Sequence, residues 1–124
     1  MEVYAEERSQ LFANAAEGFY RLILKEHFAP EGEDRREIKV TGQDEVELLK
    51  EFLSELNFLL ASEQYVGWFI NNLNITPDTV TASLRGRQYD GPNPAEFEIK
   101  AVTYHNLHIV PDGNRWKATI IFDV

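Results

Sequence analysis

The sequence predicts an α+β fold with two helices on a largely antiparallel, in part mixed, β-sheet system, and three observations carry that expectation. Two stretches show apolar residues at helical spacing, and both lie in the first half of the chain. From Ser62 to the end the period is two, broken only by turn residues. Helices and strands do not alternate regularly, as a doubly wound parallel sheet would require.

Taken in order, Glu2 to Glu6 alternates around Val3 and Ala5 and reads as a short strand. Ser9 suits a helix N-cap, followed by Leu11, Phe12, Ala15, Ala16, Phe19, Leu22 and Ile23 on one stripe. That helix is expected to end near His27, ahead of Pro30 and Gly32. Glu37 to Thr41 alternates around Ile38 and Val40 as a second strand. Gly42 closes it, and Asp44 with Glu47 has the spacing of a capping box. Val46, Leu49, Phe52, Leu53, Leu56 and Leu60 then give the second helix a wide apolar stripe.

Val66, Trp68 and Ile70 share a face of the next strand, and Val80, Ala82 and Leu84 share a face of the one after Pro77-Asp78. Asp90-Gly91-Pro92-Asn93-Pro94 is a loop by composition. Lys100 to Val124 reads as two long strands around the turn Pro111-Asp112-Gly113-Asn114.

The 124 residues suit a single domain over 1–124, long enough to bury a core without staples. There is no Cys, which removes disulfides, thiolate metal sites and cysteine nucleophiles. The start, Met1-Glu2-Val3-Tyr4-Ala5, lacks the basic and apolar regions of a signal peptide. No apolar run is long enough to span a bilayer, so a cytoplasmic protein with no membrane partner is expected. The formal charge is −9, which disfavours direct nucleic-acid binding and favours a basic protein surface or a cation as counterpart. Arg35-Arg36 and Arg85-Gly86-Arg87 are the only basic clusters, and both are too small to build an RNA track and read as a solvated face.

The chain end holds the candidate site. A regular hairpin closed at 111–114 would put Val110 opposite Arg115, Tyr104 opposite Ile121 and Val102 opposite Asp123. Lys100 would then be a diagonal neighbour of Asp123, although a bulge would exchange the faces. Asp123 is open to three readings. It is a solvated carboxylate or ion-pair partner of Lys100, a hard-cation ligand together with Val124, or a catalytic carboxylate. The last is weakest, because no second acid or base stands at a recognisable spacing. His105 and His108, three residues apart, point to opposite faces of a strand and cannot share an ion unless a bulge intervenes. His105 is expected to be half-buried and hydrogen-bonded.

Lys100 to His105 (KAVTYH), a hairpin and the closing Ile121-Phe122-Asp123-Val124 resemble the end of the archease family. The resemblance extends back through Gly42-Gln43-Asp44-Glu45, Leu48 to Leu60 and Phe12 to Ala16. It implies a protein cofactor, not an enzyme, that promotes guanylylation and multiple turnover of a GTP-dependent RNA ligase in tRNA splicing or RNA repair. Such a ligase joins a 3′-phosphate or 2′,3′-cyclic phosphate end to a 5′-hydroxyl. It also implies that Asp123 and Val124, with an Asp near the family's N-terminus, hold a divalent metal, Ca²⁺ or Mg²⁺. His105 is a possible functional neighbour, and Lys100 is either a structural ion-pair partner or a contact to a ligand phosphate. The family's Asp-His-Thr-Ala-Asp-like opening segment does not precede Met1 here, and Lys25 stands about where the family places a later acid. Metal binding by this sequence is therefore expected to be weak, since hard cations take about six or more oxygens. Two rival readings are a metal-dependent hydrolase built on the terminal carboxylates and a chaperone-like binding module for RNA-modifying enzymes.

Overall fold

Two three-stranded antiparallel sheets share one apolar core with two helices in the computed structural model, which describes residues 1–26 and 28–124. The elements are β1 (Glu2–Ala5), α1 (Arg8–Ile23), β2 (Asp34–Thr41), α2 (Glu45–Glu63), β3 (Tyr65–Ile75), β4 (Thr79–Gln88), β5 (Ala101–Asp112) and β6 (Arg115–Asp123). One sheet has the order β1-β6-β5 and the other β2-β4-β3. The α+β expectation holds, and every neighbouring pair of strands is antiparallel.

Leu11, Phe12, Ala15, Ala16, Phe19, Tyr20 and Ile23 of α1 are buried, the face that the three-to-four spacing anticipates. Leu22 is an exception: it is 46% exposed, and Tyr20 takes the place on the stripe. The helix starts one residue before Ser9. Glu7 is the N-cap, without a side-chain bond, so Ser9 lies inside the first turn. At the other end α1 stops at Ile23, because Leu24 turns extended and pairs with Ala95. The Lys25 amide donates to the Pro94 carbonyl and the Glu96 amide to the Ile23 carbonyl, drawing the chain out of helical geometry. His27, the expected end point, lies outside the described residues.

The capping box at α2 forms as its sequence implies. Asp44 Oδ1 accepts from the Glu47 amide at 2.8 Å, and Glu47 Oε2 accepts from the Gln43 amide at 3.3 Å. Leu48, Leu49, Phe52, Leu53, Leu56, Leu59 and Leu60 bury its apolar side, and Gln64 ends it in the left-handed region at φ 52°. Among the described residues no helix is long and apolar enough to cross a membrane.

β4 is the central strand of its sheet and alternates cleanly, with Val80, Ala82, Leu84 and Gly86 inward. Its neighbour β3 is irregular, with register shifts between Val66 and Phe69 and between Asn71 and Asn74. A side chain at Gly86 would collide with the Val66 carbonyl, so the first shift has a backbone cause in that close approach. Tyr20 crosses the core to the same place, its hydroxyl accepting from the Gly67 amide at 3.2 Å.

Candidate functional site

The β5–β6 hairpin does not keep the register of a regular ladder. Near the turn Asp112 pairs with Arg115 and Val110 with Lys117, so the reversal itself is the two-residue Gly113-Asn114, with Gly113 at φ 64°. Towards the chain end Val102 pairs with Phe122 and Ala101 with Asp123. Between these stretches Tyr104 to Leu107 stand opposite Ile120 alone, and Asn106 takes φ 57°. A bulge of this size carries extra residues on one strand only, and it leaves the expected pairs Tyr104–Ile121 and Val102–Asp123 unformed.

The consequence for the candidate residues is a change of face. Val102, buried with Ile120 and beside the half-buried Phe122, points to the core, where Phe122 packs on Phe19 with ring centroids 5.9 Å apart. Ala101, Ile121 and Asp123 point out and are exposed. Lys100 lies on the other side, lining a groove with Lys50, Asn57 and Phe58 of α2. Asn57 Nδ2 donates to the Ile99 carbonyl at 2.8 Å and pins this segment to the helix. An ion pair of Asp123 with Lys100, one of the readings open from the sequence, is not among the ion pairs of the described residues. The two residues meet through the backbone, the Lys100 amide donating to the Asp123 carbonyl at 2.7 Å.

Tyr104, His105 and Asn106 form the exposed crest of the bulge. Tyr104 lies against α2, with Lys50 Nζ 4.9 Å from its ring centroid. Partial burial raises the Tyr104 pKa, with Glu47, Glu51 and Asp44 adding to the rise and Lys50 opposing it. His105 is exposed, not half-buried, and among the described residues its side chain makes no hydrogen bond. Thr103 Oγ1 is buried without a hydrogen-bond partner among the described residues.

Asp123 and Val124 offer carboxylate and main-chain oxygens, the donor type a hard cation prefers. Both are exposed, Val124 by 66%. Among the described residues no group of three or more His, Asp or Glu side chains is disposed around one point to hold a metal. The residues present thus fit Ca²⁺ or Mg²⁺ in kind and fall short in number. The edge beside them belongs to β1: the Met1 ammonium donates to the Ile120 carbonyl at 2.8 Å, and the Ile120 amide donates to the Met1 carbonyl at 2.8 Å. With Glu2 opposite Thr119 as well, residues continuing β1 backwards in this register would run alongside Phe122 and Asp123.

The fold and the whole sequence have known counterparts. The archease of Methanosarcina barkeri is 33% identical over 128 residues, an alignment covering 99% of this chain and 87% of that protein. The archease of Methanosarcina mazei is 31% identical over 126 residues, covering 98% and 86%. A solution structure of a Methanobacterium thermoautotrophicum protein superposes with a TM-score of 0.79 at 25% identity, over 99% of this chain and 89% of that one. The crystal structure of a Thermotoga maritima archease, described as a possible chaperone, gives a TM-score of 0.67 at 17% identity and shares the fold over 100% of this chain and 88% of its own. The Archease protein family profile matches residues 1–124, and the chain belongs to that family.

Proposed function

We propose that this protein is a non-catalytic activator of a GTP-dependent RNA ligase, raising the rate of ligase guanylylation and allowing multiple turnovers in tRNA splicing or RNA repair. The family match over the full sequence is the observation that carries this reading. The acidic balance, 21 Asp and Glu against 12 Lys and Arg, suits docking on a protein that must itself be basic to hold RNA. The exposed tip at Asp123 and Val124 is the surface offered to that partner, with His105 on the neighbouring bulge. Asp123 and Val124 supply part of an oxygen site for Ca²⁺ or Mg²⁺, which takes about six or more oxygens in all.

A multiple-turnover ligation assay with the cognate ligase tests the reading. With the protein added, ligated product is expected to exceed the amount of ligase, and association is expected to slow as salt rises. Absence of stimulation overturns the proposal. A rise in soluble ligase without a rise in turnover per ligase favours the chaperone-like module. Phosphate-ester cleavage by the purified protein alone favours the hydrolase.

A further inference from the structure

The β2–β4 ladder brings together two basic clusters that are well separated in sequence. Arg35 stands directly opposite Arg85 as a cross-strand pair, and Arg87 follows two residues on along the same face of β4. That face is the outer one, since Ile38 and Val40 on β2 and Ala82, Leu84 and Gly86 on β4 point inward. Like charges placed directly opposite on a sheet are destabilising. A chain with so many carboxylates has ample means to neutralise them.

It does so mostly elsewhere, and within the cluster only Arg85 has a carboxylate, the exposed Glu33 at 3.5 Å. Arg8, Arg21, Arg36, Lys50, Arg85, Arg115 and Lys117 all pair with carboxylates. Among the described residues Lys25, Arg35, Lys39, Arg87 and Lys100 make no such pair, and three of these, Arg35, Lys39 and Arg87, project from this one face. The carboxylate between them, Glu37, accepts from Ser83 Oγ at 2.8 Å instead. Two of the guanidinium groups also lie over aromatic rings: Arg85 Cζ is 4.3 Å from the Phe69 ring centroid and Arg87 Cζ is 4.8 Å from that of Tyr89. Contact with a ring restricts the side chain before any ligand arrives and reduces the entropy lost on binding.

Arg87 and Tyr89 also wall a groove of about 880 Å³, together with Lys25, Phe28, Pro92 and Pro94. Its size suits a nucleotide unit, and its aromatic and prolyl walls suit a base or ribose. Glu26 and Glu96 share the lining and weaken its pull on an anion. An acidic peptide would use the arginines and leave this groove idle.

We infer that the outer face of β2 and β4 binds a short single-stranded nucleic acid, with phosphates on Arg35, Arg85 and Arg87 and a base in the groove beside Tyr89. Guanidinium groups for the backbone and an aromatic surface for the bases are the two elements that single-strand recognition needs. The net charge of −9 opposes long-range attraction, so the site is weak in isolation, with a dissociation constant of about 10⁻⁴ M or weaker at physiological salt. It also lies at the same end of the molecule as the Asp123 tip. Glu63, the last residue of α2, pairs with Arg36 of β2, and its carbonyl accepts from Gln88 of β4. Ala61 and Ser62, immediately before it, line the groove that contains Lys100, whose amide holds Asp123.

The test needs no ligase and so stands apart from the activator reading. Isotope-labelled protein is titrated with a short oligouridylate at low salt, and amide shifts are followed. Shifts centred on β2, β4 and residues 87–96 are expected, with log affinity falling against log salt at a slope of about −2 for three phosphate contacts. The exposed substitutions R35Q and R87Q together are expected to weaken binding roughly tenfold and reduce that slope to about −0.7. A polyglutamate peptide of equal charge is expected to bind less tightly. No binding at low salt, or affinity unchanged in the double variant, overturns the inference. Polyglutamate competing on equal terms also overturns it, and identifies the face as a dock for an acidic protein.

Discussion

The Lys100 amide donates to the Asp123 carbonyl at 2.7 Å while their side chains leave opposite faces of the β5–β6 pair. Lys100 turns to α2, and Asp123 turns to solvent. The main-chain bond fixes how close the residues are, and the bulge at Tyr104–Leu107 fixes that their charges do not meet. A double-mutant cycle of Lys100→Met and Asp123→Asn, read by urea unfolding, is therefore expected to give a coupling below about 0.3 kcal/mol. A coupling of about 1 kcal/mol or more would mean that the charges interact after all.

Gly86 sits where β3 and β4 come closest, and a Cβ there would strike the Val66 carbonyl and crowd the Gly67 Cα. Backbone atoms cannot rotate aside as a flexible side chain can. Gly86→Ala is therefore expected to cost about 1–3 kcal/mol, as overpacking of a tight core does. The midpoint of urea unfolding measures it. A neutral result would show that β3 has room to slide.

Alkaline pH should unfold this protein sooner than its composition suggests. The Tyr65 hydroxyl donates to the Asp34 carbonyl at 2.9 Å. Burial pushes its pKa up to about 12, with the Asp34 charge adding and Arg36 opposing. Burial raises Tyr20 as well, against the lowering effect of the Gly67 amide. The folded state keeps these protons where the unfolded chain, with tyrosines ionising near pH 10, has lost them. The stabilisation is thus complete below pH 10 and disappears as pH rises through the folded-state values. Unfolding free energy measured across that window is expected to fall, with a contribution of order 2 kcal/mol from Tyr65. Tyr65→Phe should flatten the decline, and an unchanged slope would remove Tyr65 as its source.

Much of the architecture was legible because periodicity reports burial directly. The stripes of α1 and α2, the alternation of β4 and the Asp44–Glu47 cap all follow from residue spacing. Helix ends were less legible: α1 stops at Ile23 through contacts with Pro94, Ala95 and Glu96, which are distant in sequence. The register of β5 was misread for a similar reason. Val102 and Ile120 are both buried, so they must share a face, and only a bulge permits that with Asp112 paired to Arg115. Nor does sequence spacing reveal that Arg35 meets Arg85, since that depends on the β2–β4 register. The phase of each strand alone would have placed both arginines outward.

The role of Asp123 can be separated from the stability of the strand that carries it. Its side chain is exposed and makes no ion pair among the described residues, so Asp123→Asn is expected to change stability by about 0.5 kcal/mol or less. The same substitution removes the charged oxygen that a hard cation needs most, and calcium titration calorimetry should show weaker binding. If ligase activation works through this tip, stimulation in the multiple-turnover assay should collapse while the melting temperature stays in place. Normal stimulation by the variant would leave Asp123 a bystander and shift attention to His105 on the bulge. A large drop in melting temperature would show that the carboxylate supports the β5–β6 end. Rescue by Asp123→Glu then discriminates the two roles: restored calcium binding with restored stimulation marks a ligand, and restored stability alone marks a structural group.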